Sequence, residues 1–217
     1  MSLFALISLA LQHPDTDLLE ARSEVARSAE SLPESPAADT LRAFLAWWVD
    51  EPADDLQRTY VETFDFSRRT ALDLTYYTHG DRRQRGLALV ALRRRYSAAG
   101  LELEGPELPD HLPVVLEFAA LDPLAGGELL AEFRPVIELL RLALERGGTP
   151  YAGLLAALCQ ALPELEDDER EELRRLAREG PPGESVGLEP FAPPEVMPEP
   201  VRALPAACAG AMSGGRR

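Results

Sequence analysis

The residues best equipped for chemistry in this 217-residue chain cluster in its middle. Glu107, Asp110 and His111 stand together in Glu107-Leu108-Pro109-Asp110-His111, which runs directly into the apolar stretch Leu112-Pro113-Val114-Val115-Leu116-Glu117-Phe118. Two further segments are rich in aromatics and hydroxyls: Tyr60-Val61-Glu62-Thr63-Phe64-Asp65 and Leu74-Thr75-Tyr76-Tyr77-Thr78-His79-Gly80-Asp81. Four of the five tyrosines fall between residues 60 and 96. Tyrosine joins an apolar body to a polar tip, which suits a peptide-binding surface. Carboxylates beside it would pair with cations on the peptide, and a histidine among them would add pH sensitivity. On this reading Tyr60, Phe64, Tyr76, Tyr77, His79, Glu107, Asp110, His111, Leu112, Val115 and Leu116 line or border a peptide groove. A plainer reading stands beside it: aromatics and aliphatics in the core, Asp110 as a helix N-cap, His111 on the surface.

Signatures of catalysis are missing. There is no phosphate-binding glycine loop, no Gly-x-Ser-x-Gly elbow and no His-Glu-x-x-His. His13, His79 and His111 are never three or four residues apart, so they do not form a helical metal site. Cys159 and Cys208 lie 49 residues apart and give neither a disulfide scaffold nor a paired-cysteine metal spacing. Cys159 sits on an apolar helix face and reads as a small core residue. These features predict no enzyme and no cofactor.

Composition narrows the partners. The net charge is −15, and every basic side chain apart from histidine is arginine. So acidic a chain is a poor nucleic-acid binder, a poor binder of anionic membranes, and better suited to basic partners. Residues 56–100 depart from this, with 9 basic and 4 acidic groups between strongly acidic flanks. That basic middle serves either internal attraction or an acidic group on a partner. Arg82, Arg83 and Arg85 read as a solvated face. No apolar run approaches the roughly 20 residues that cross a bilayer. The apolar start, Met1 to Leu11, lacks the basic leader and cleavage site of a signal peptide. The expected location is the cytoplasm.

The elements that must position these residues read as helices almost throughout. The expected helices are Ser2–Gln12, Asp15–Leu32, Ala37–Asp50, Asp54–Phe64, Asp81–Ala99, Leu112–Leu121, Gly127–Arg146, Pro150–Leu162 and Glu166–Glu179. Leu41, Phe44, Leu45 and Trp48 are spaced as one helical stripe. Thr75 to Thr78 is strand-like without a partner and reads as a loop or short turn ending at Gly80. Asp81 is placed to cap its helix, and Gly100 to end it in a left-handed turn. Asp122-Pro123 reads as a stop, and Pro135 as a kink. In the last helix Glu171 and Arg175 are placed for an ion pair. The stretch 112–121 is apolar on nearly every side, which requires burial or a partner. The prediction is an all-α, single-domain bundle of eight or nine helices over residues 1–179. A flexible Pro/Gly-rich tail follows over 180–217, holding 8 of the 19 prolines. Its Leu188, Phe191 and Met197 could occupy the groove until a client arrives.

The three aromatic and acidic segments resemble the NarJ family, assembly chaperones dedicated to respiratory molybdenum nitrate reductases. They also resemble the wider TorD/DmsD group of redox-enzyme maturation proteins. Glu107-x-x-Asp110-His111 is similar to that group's acidic-Asp-His signature, and Leu11-Gln12-His13-Pro14-Asp15 to the family's opening. Glu132-Phe133-Arg134-Pro135 through Thr149-Pro150-Tyr151-Ala152-Gly153 is similar to its later helical hairpin. The resemblance covers residues 3–180 and departs from the family at Asp73 and Phe133. It implies a non-catalytic helical chaperone, a monomer or weak dimer. Its partner would be the catalytic molybdenum subunit of a nitrate reductase, bound by that subunit's N-terminal segment. The chaperone would hold the subunit for molybdenum cofactor insertion before membrane docking. Three other readings remain open: a TorD/DmsD-type chaperone for another molybdoenzyme, a helical adaptor without a maturation role, and a helical hydrolase.

Overall fold

Ser2, Asp15, Ser35 and Asp122 each precede a helix, and each side chain accepts a hydrogen bond from a first-turn backbone N–H. Helix geometry leaves those N–H groups without partners, so the caps set where the helices begin. The computed structural model describes residues 1–80 and 83–180. Its helices are α1 (Leu3–Ala10), α2 (Thr16–Ala29), α3 (Pro36–Asp50), α4 (Ala53–Phe64), α5 (Tyr76–His79) and α6 (Arg83–Ala98). They continue as α7 (Leu112–Leu121), α8 (Pro123–Glu132), α9 (Arg134–Gly147), α10 (Tyr151–Ala161) and α11 (Asp167–Glu179). The all-α expectation holds.

Eleven helices among the described residues exceed the expected eight or nine, for two reasons. Thr75 to Thr78, expected as a loop or short turn ending at Gly80, forms a single helical turn, α5, that ends at Gly80 and adds to the helix count. The expected helix 127–146 divides at Phe133, leaving Pro135 in the first turn of α9 rather than at a kink. A first-turn proline is favourable because its missing N–H would have no helical partner there. Asp122-Pro123 ends one helix and starts the next, since Asp122 is at once the C-cap of α7 and the N-cap of α8. Gly100 takes the left-handed φ of 76° expected of it. In α11, Arg175 pairs with Glu172 and Glu179, while Glu171 goes to Arg174. The expected Asp81 cap, Arg82 and residues 181–217 lie outside the described residues.

Apolar stripes fix the packing. α10 lies along α3, α1 against α7, α7 against α8, and α9 contacts both α10 and α11. Leu41 and Trp48 of α3 and Leu154, Leu155 and Leu158 of α10 have no exposed surface. Enclosing one such side chain stabilises the fold by about 1.5–3 kcal/mol. Tyr151 is the hub of an aromatic cluster, its ring centroid 5.0 Å from Phe64 and 5.5 Å from Phe44.

Helices α7 and α8 pass close to each other at Gly126. A Cβ on Gly126 would lie 2.2 Å from the Ala119 Cα, so only glycine permits this approach. At neighbouring Gly127 a Cβ would meet nothing within 4 Å. Gly126→Ala therefore destabilises the protein by about 3 kcal/mol through overpacking. Gly127→Ala is neutral or stabilises by up to about 1 kcal/mol through helix propensity. Chemical denaturation of the two variants checks the contrast; equal midpoints would contradict it.

Candidate peptide-binding groove

The site is organised around a carboxylate with no exposed surface. Asp110 lies just before α7, where the chain meets residues 72–75 in an isolated antiparallel bridge between Asp73 and His111. Leu74 N donates to Asp110 O at 3.0 Å, and Leu112 N to Leu72 O at 2.8 Å. Asp110 Oδ2 accepts from Thr75 N at 3.1 Å, Thr75 Oγ1 at 2.5 Å and Arg85 Nη2 at 3.3 Å. The same Arg85 nitrogen donates to Asp73 Oδ2 at 2.8 Å, while Asp73 Oδ1 is 3.0 Å from His111 Nδ1. Two expectations are corrected here. Asp110 is not the helix cap: His111 holds the N-cap position of α7 without a side-chain cap bond, because the Asp110 carboxylate points inward to Thr75 and Arg85. Arg85 is not on a solvated face with Arg83: only 15% of its side chain is exposed, drawn in by two carboxylates.

Burial opposes ionisation of Asp73, but hydrogen bonds from His111 and Arg85 outweigh it and hold its pKa below the ordinary carboxylate value. Burial likewise opposes the charge on Arg85, and the Asp73 hydrogen bond and Asp110 charge overcome it, raising its pKa. Tyr96 extends the network by donating to Pro109 O at 2.5 Å, pinning the end of α6 to the segment before Asp110.

This network sets the position of α7, and α7 forms one wall of an open groove. Two adjoining clefts, about 220 and 430 Å³, share Leu103, Glu104, Val114 and Glu117. The smaller is apolar, formed by Tyr96, Leu101, Leu103, Val114, Phe118 and Leu121. The larger is polar, with His13, Asp15, Tyr60, Glu107 and His111 on its walls. Asp15, Glu102, Glu104, Glu107 and Glu117 rim the pair, and neither cleft is lined by an arginine. An apolar floor under a one-signed acidic rim is complementary to an amphipathic, basic segment.

Of the expected site residues, the structure brings Tyr60, Glu107 and His111 into this groove. Even there Tyr60 is largely enclosed, its hydroxyl donating to Leu11 O at 3.1 Å. Phe64, Tyr77, Leu112, Val115 and Leu116 do not line it; they are core residues. Phe64 meets Tyr151 edge to face, and the Tyr77 hydroxyl reaches Arg69 O and Ala71 O, both at 2.9 Å. Residues 112, 115 and 116 share the face of α7 turned to the bundle. Tyr76, near the Arg85 guanidinium, and half-buried His79 lie on α5, outside the groove. Sequence reasoning placed no weight on Asp15, Leu103, Val114 or Glu117 as lining residues. The all-round apolarity of α7 was the available signal for Val114 and Phe118. Cys159 is elsewhere, near Arg134 and Glu138; burial pushes its thiol up to about 12, so it stays protonated and unreactive at neutral pH.

Comparison with known proteins agrees with this architecture. Residues 30–157 match the family described as the nitrate reductase delta subunit. The chain belongs to that family. It is 35% identical over 156 residues to the nitrate reductase molybdenum cofactor assembly chaperone NarJ of Escherichia coli K12, covering 70% of this chain and 66% of that one. It is 39% identical over 155 residues to the nitrate reductase-like protein NarX of Mycobacterium tuberculosis H37Rv. The match spans 70% of this chain but only 23% of NarX. A crystal structure from Archaeoglobus fulgidus, assigned to the redox enzyme maturation proteins, superposes with a TM-score of 0.56 at 26% identity. It covers 73% of this chain and 90% of that one. The region shared with the delta-subunit family contains the whole Asp73–Arg85–Asp110 network and α7.

Two outcomes follow from the network. Arg85→Ala leaves Asp110 enclosed without its cation and costs about 3–5 kcal/mol, whereas exposed Arg83→Ala stays within about 0.5 kcal/mol. Urea midpoints of the two variants check this. Because the folded pKa of Asp73 is depressed, its stabilisation is present above the unfolded value of about 4 and is lost as pH falls through the folded value. The stability gap between wild type and Asp73→Asn, read from urea midpoints, should shrink as pH falls below about 4.

Proposed function

We propose that the chain is an assembly chaperone that takes the N-terminal segment of a nitrate reductase catalytic subunit into the groove along α7. It holds that subunit ready for molybdenum cofactor insertion before membrane docking. The observation that carries the reading is the groove itself: an apolar floor of Leu101, Val114, Phe118 and Leu121 under a rim of five carboxylates. Family membership and the likeness to a relative named as a molybdenum cofactor assembly chaperone support it.

Binding here needs two features in the client segment. Apolar side chains fill the smaller cleft, which has space for one or two of them. Cations then meet Asp15, Glu104, Glu107 and Glu117 around the larger one. The likeness to the Archaeoglobus fulgidus structure keeps a second reading, in which the client is another molybdoenzyme served by the same groove.

The test is calorimetric titration of the full chain with a peptide of about 15 residues from the start of the nitrate reductase catalytic subunit of the same genome. Saturable binding with a negative heat-capacity change is expected from apolar burial. Val114→Asp, which puts a charge on the floor shared by both clefts, should weaken binding at least about tenfold, a loss of about 1.4 kcal/mol. Glu104→Gln with Glu117→Gln should weaken it less and flatten its salt dependence. No binding at about 100 μM peptide would sink the nitrate reductase reading.

A further inference from the structure

Away from the groove, three arginines converge on a different surface. A cleft of about 540 Å³ opens between the C-terminal end of α4, the loop after it, and the turn from α9 into α10. A smaller one of about 210 Å³ adjoins it under α11, and the two share Arg69, Ala143 and Arg146. Arg178 lines the smaller cleft. None of the three arginines makes an ion pair among the described residues. Among the described residues about half of the arginines hold carboxylates, Arg42, Arg58, Arg95, Arg141 and Arg175 among them, whereas Arg69, Arg146 and Arg178 stay available to an incoming anion.

The remaining lining fits an oxyanion. Thr59, Thr63, Ser67 and Thr149 bring hydroxyls to the larger cleft, while the Thr70 hydroxyl is committed to the carbonyls of Thr63 and Ser67. Thr63 Oγ1 and Thr149 Oγ1 lie 2.9 Å apart. Two hydroxyls in one bond use only one of their two protons, which leaves the other for an incoming acceptor. Gly148 holds the left-handed φ of 66° that reverses the chain at this turn, where the negative end of α9 and the positive end of α10 meet and largely offset. Carboxylates oppose an anion at two points. Glu179 is committed to Arg175 at 3.0 Å, and Glu62 alone stands against the three guanidinium charges. The larger cleft falls within the volume range of small-molecule sites.

We propose that these joined clefts bind a small molecule through a pyrophosphate group, with Arg69 and Arg146 shared between its two phosphoryl units. Guanidinium forks match phosphate oxygens in geometry as well as charge. The site shares no lining residue with the peptide groove, so it is independent of the chaperone reading.

The test is titration of the full chain with inorganic pyrophosphate and, separately, with adenosine diphosphate, near physiological salt. Pyrophosphate should bind saturably, and Arg69→Ala and Arg146→Ala should each weaken it about tenfold, as expected for losing a charge-assisted hydrogen bond. Both arginines are exposed, and thermal melts establish that the variants fold. Exposed Arg27→Ala, in α2, should leave the affinity unchanged. Tighter binding of the diphosphate nucleotide than of pyrophosphate would identify a nucleotide-like ligand; equal binding would confine recognition to the phosphoryl groups. The proposal is overturned if pyrophosphate fails to saturate by about 10 mM, or if Arg27→Ala weakens it as much as the other two, which would mean diffuse attraction.

Discussion

An enclosed carboxylate must be compensated, and Asp110 shows how much structure one such requirement can organise. Its Oδ2 is met by a backbone N–H, a hydroxyl and a guanidinium, supplied by Thr75 and Arg85, while buried Oδ1 has no hydrogen-bond partner among the described residues. Those partners lie 35 and 25 residues away in sequence, so satisfying one charge ties three separated segments together. The Asp73–His111 bridge and the pairs Leu74–Asp110 and Leu112–Leu72 close the same junction through the backbone. Removing any partner leaves a polar group buried without compensation, which costs more than the bond contributes when intact.

The position of α7 follows from that junction, and α7 serves two surfaces. Leu112, Val115 and Leu116 turn into the bundle, where α1 and α8 pack on it. Val114, Glu117, Phe118 and Leu121 turn toward the groove. The Ser8 hydroxyl donates to Pro113 O at 2.8 Å and anchors α1 at the start of α7. The close pass of Gly126 over Ala119 fixes α8 on another side. A helix held in this way presents a rigid wall, and a preformed surface loses less ordering entropy on binding than one that must rearrange.

Much of the fold was legible because its signals are local. Glycine terminators and apolar stripes act within one or two turns, so Gly100 and the Leu41–Trp48 stripe have the same meaning in any tertiary setting. The errors came where one residue had two local meanings. Asp110 is a good N-cap by type and position, yet a partner 25 residues upstream draws it inward. Pro135 is a kink inside a helix and a favourable residue in a first turn, and the break at Phe133 decides between them. Arg85 reads like its neighbour Arg83 until the carboxylates of Asp73 and Asp110 are placed beside it.

The candidate groove was legible only in part. Acidic character, the Glu107–His111 group and an all-round apolar helix at 112–121 pointed to the right region. They did not show which face of that helix was open. Sequence alone determined helix content, most helix starts, the acidic balance and the resemblance to a chaperone family, because composition and short-range spacing carry those properties. Tertiary structure alone decided that Phe64, Tyr77, Leu112, Val115 and Leu116 belong to the core while half-buried Val114 faces the groove beside the largely enclosed Phe118. The physical reason is that exposure depends on which helices pack together, and that choice rests on contacts between residues far apart in the chain.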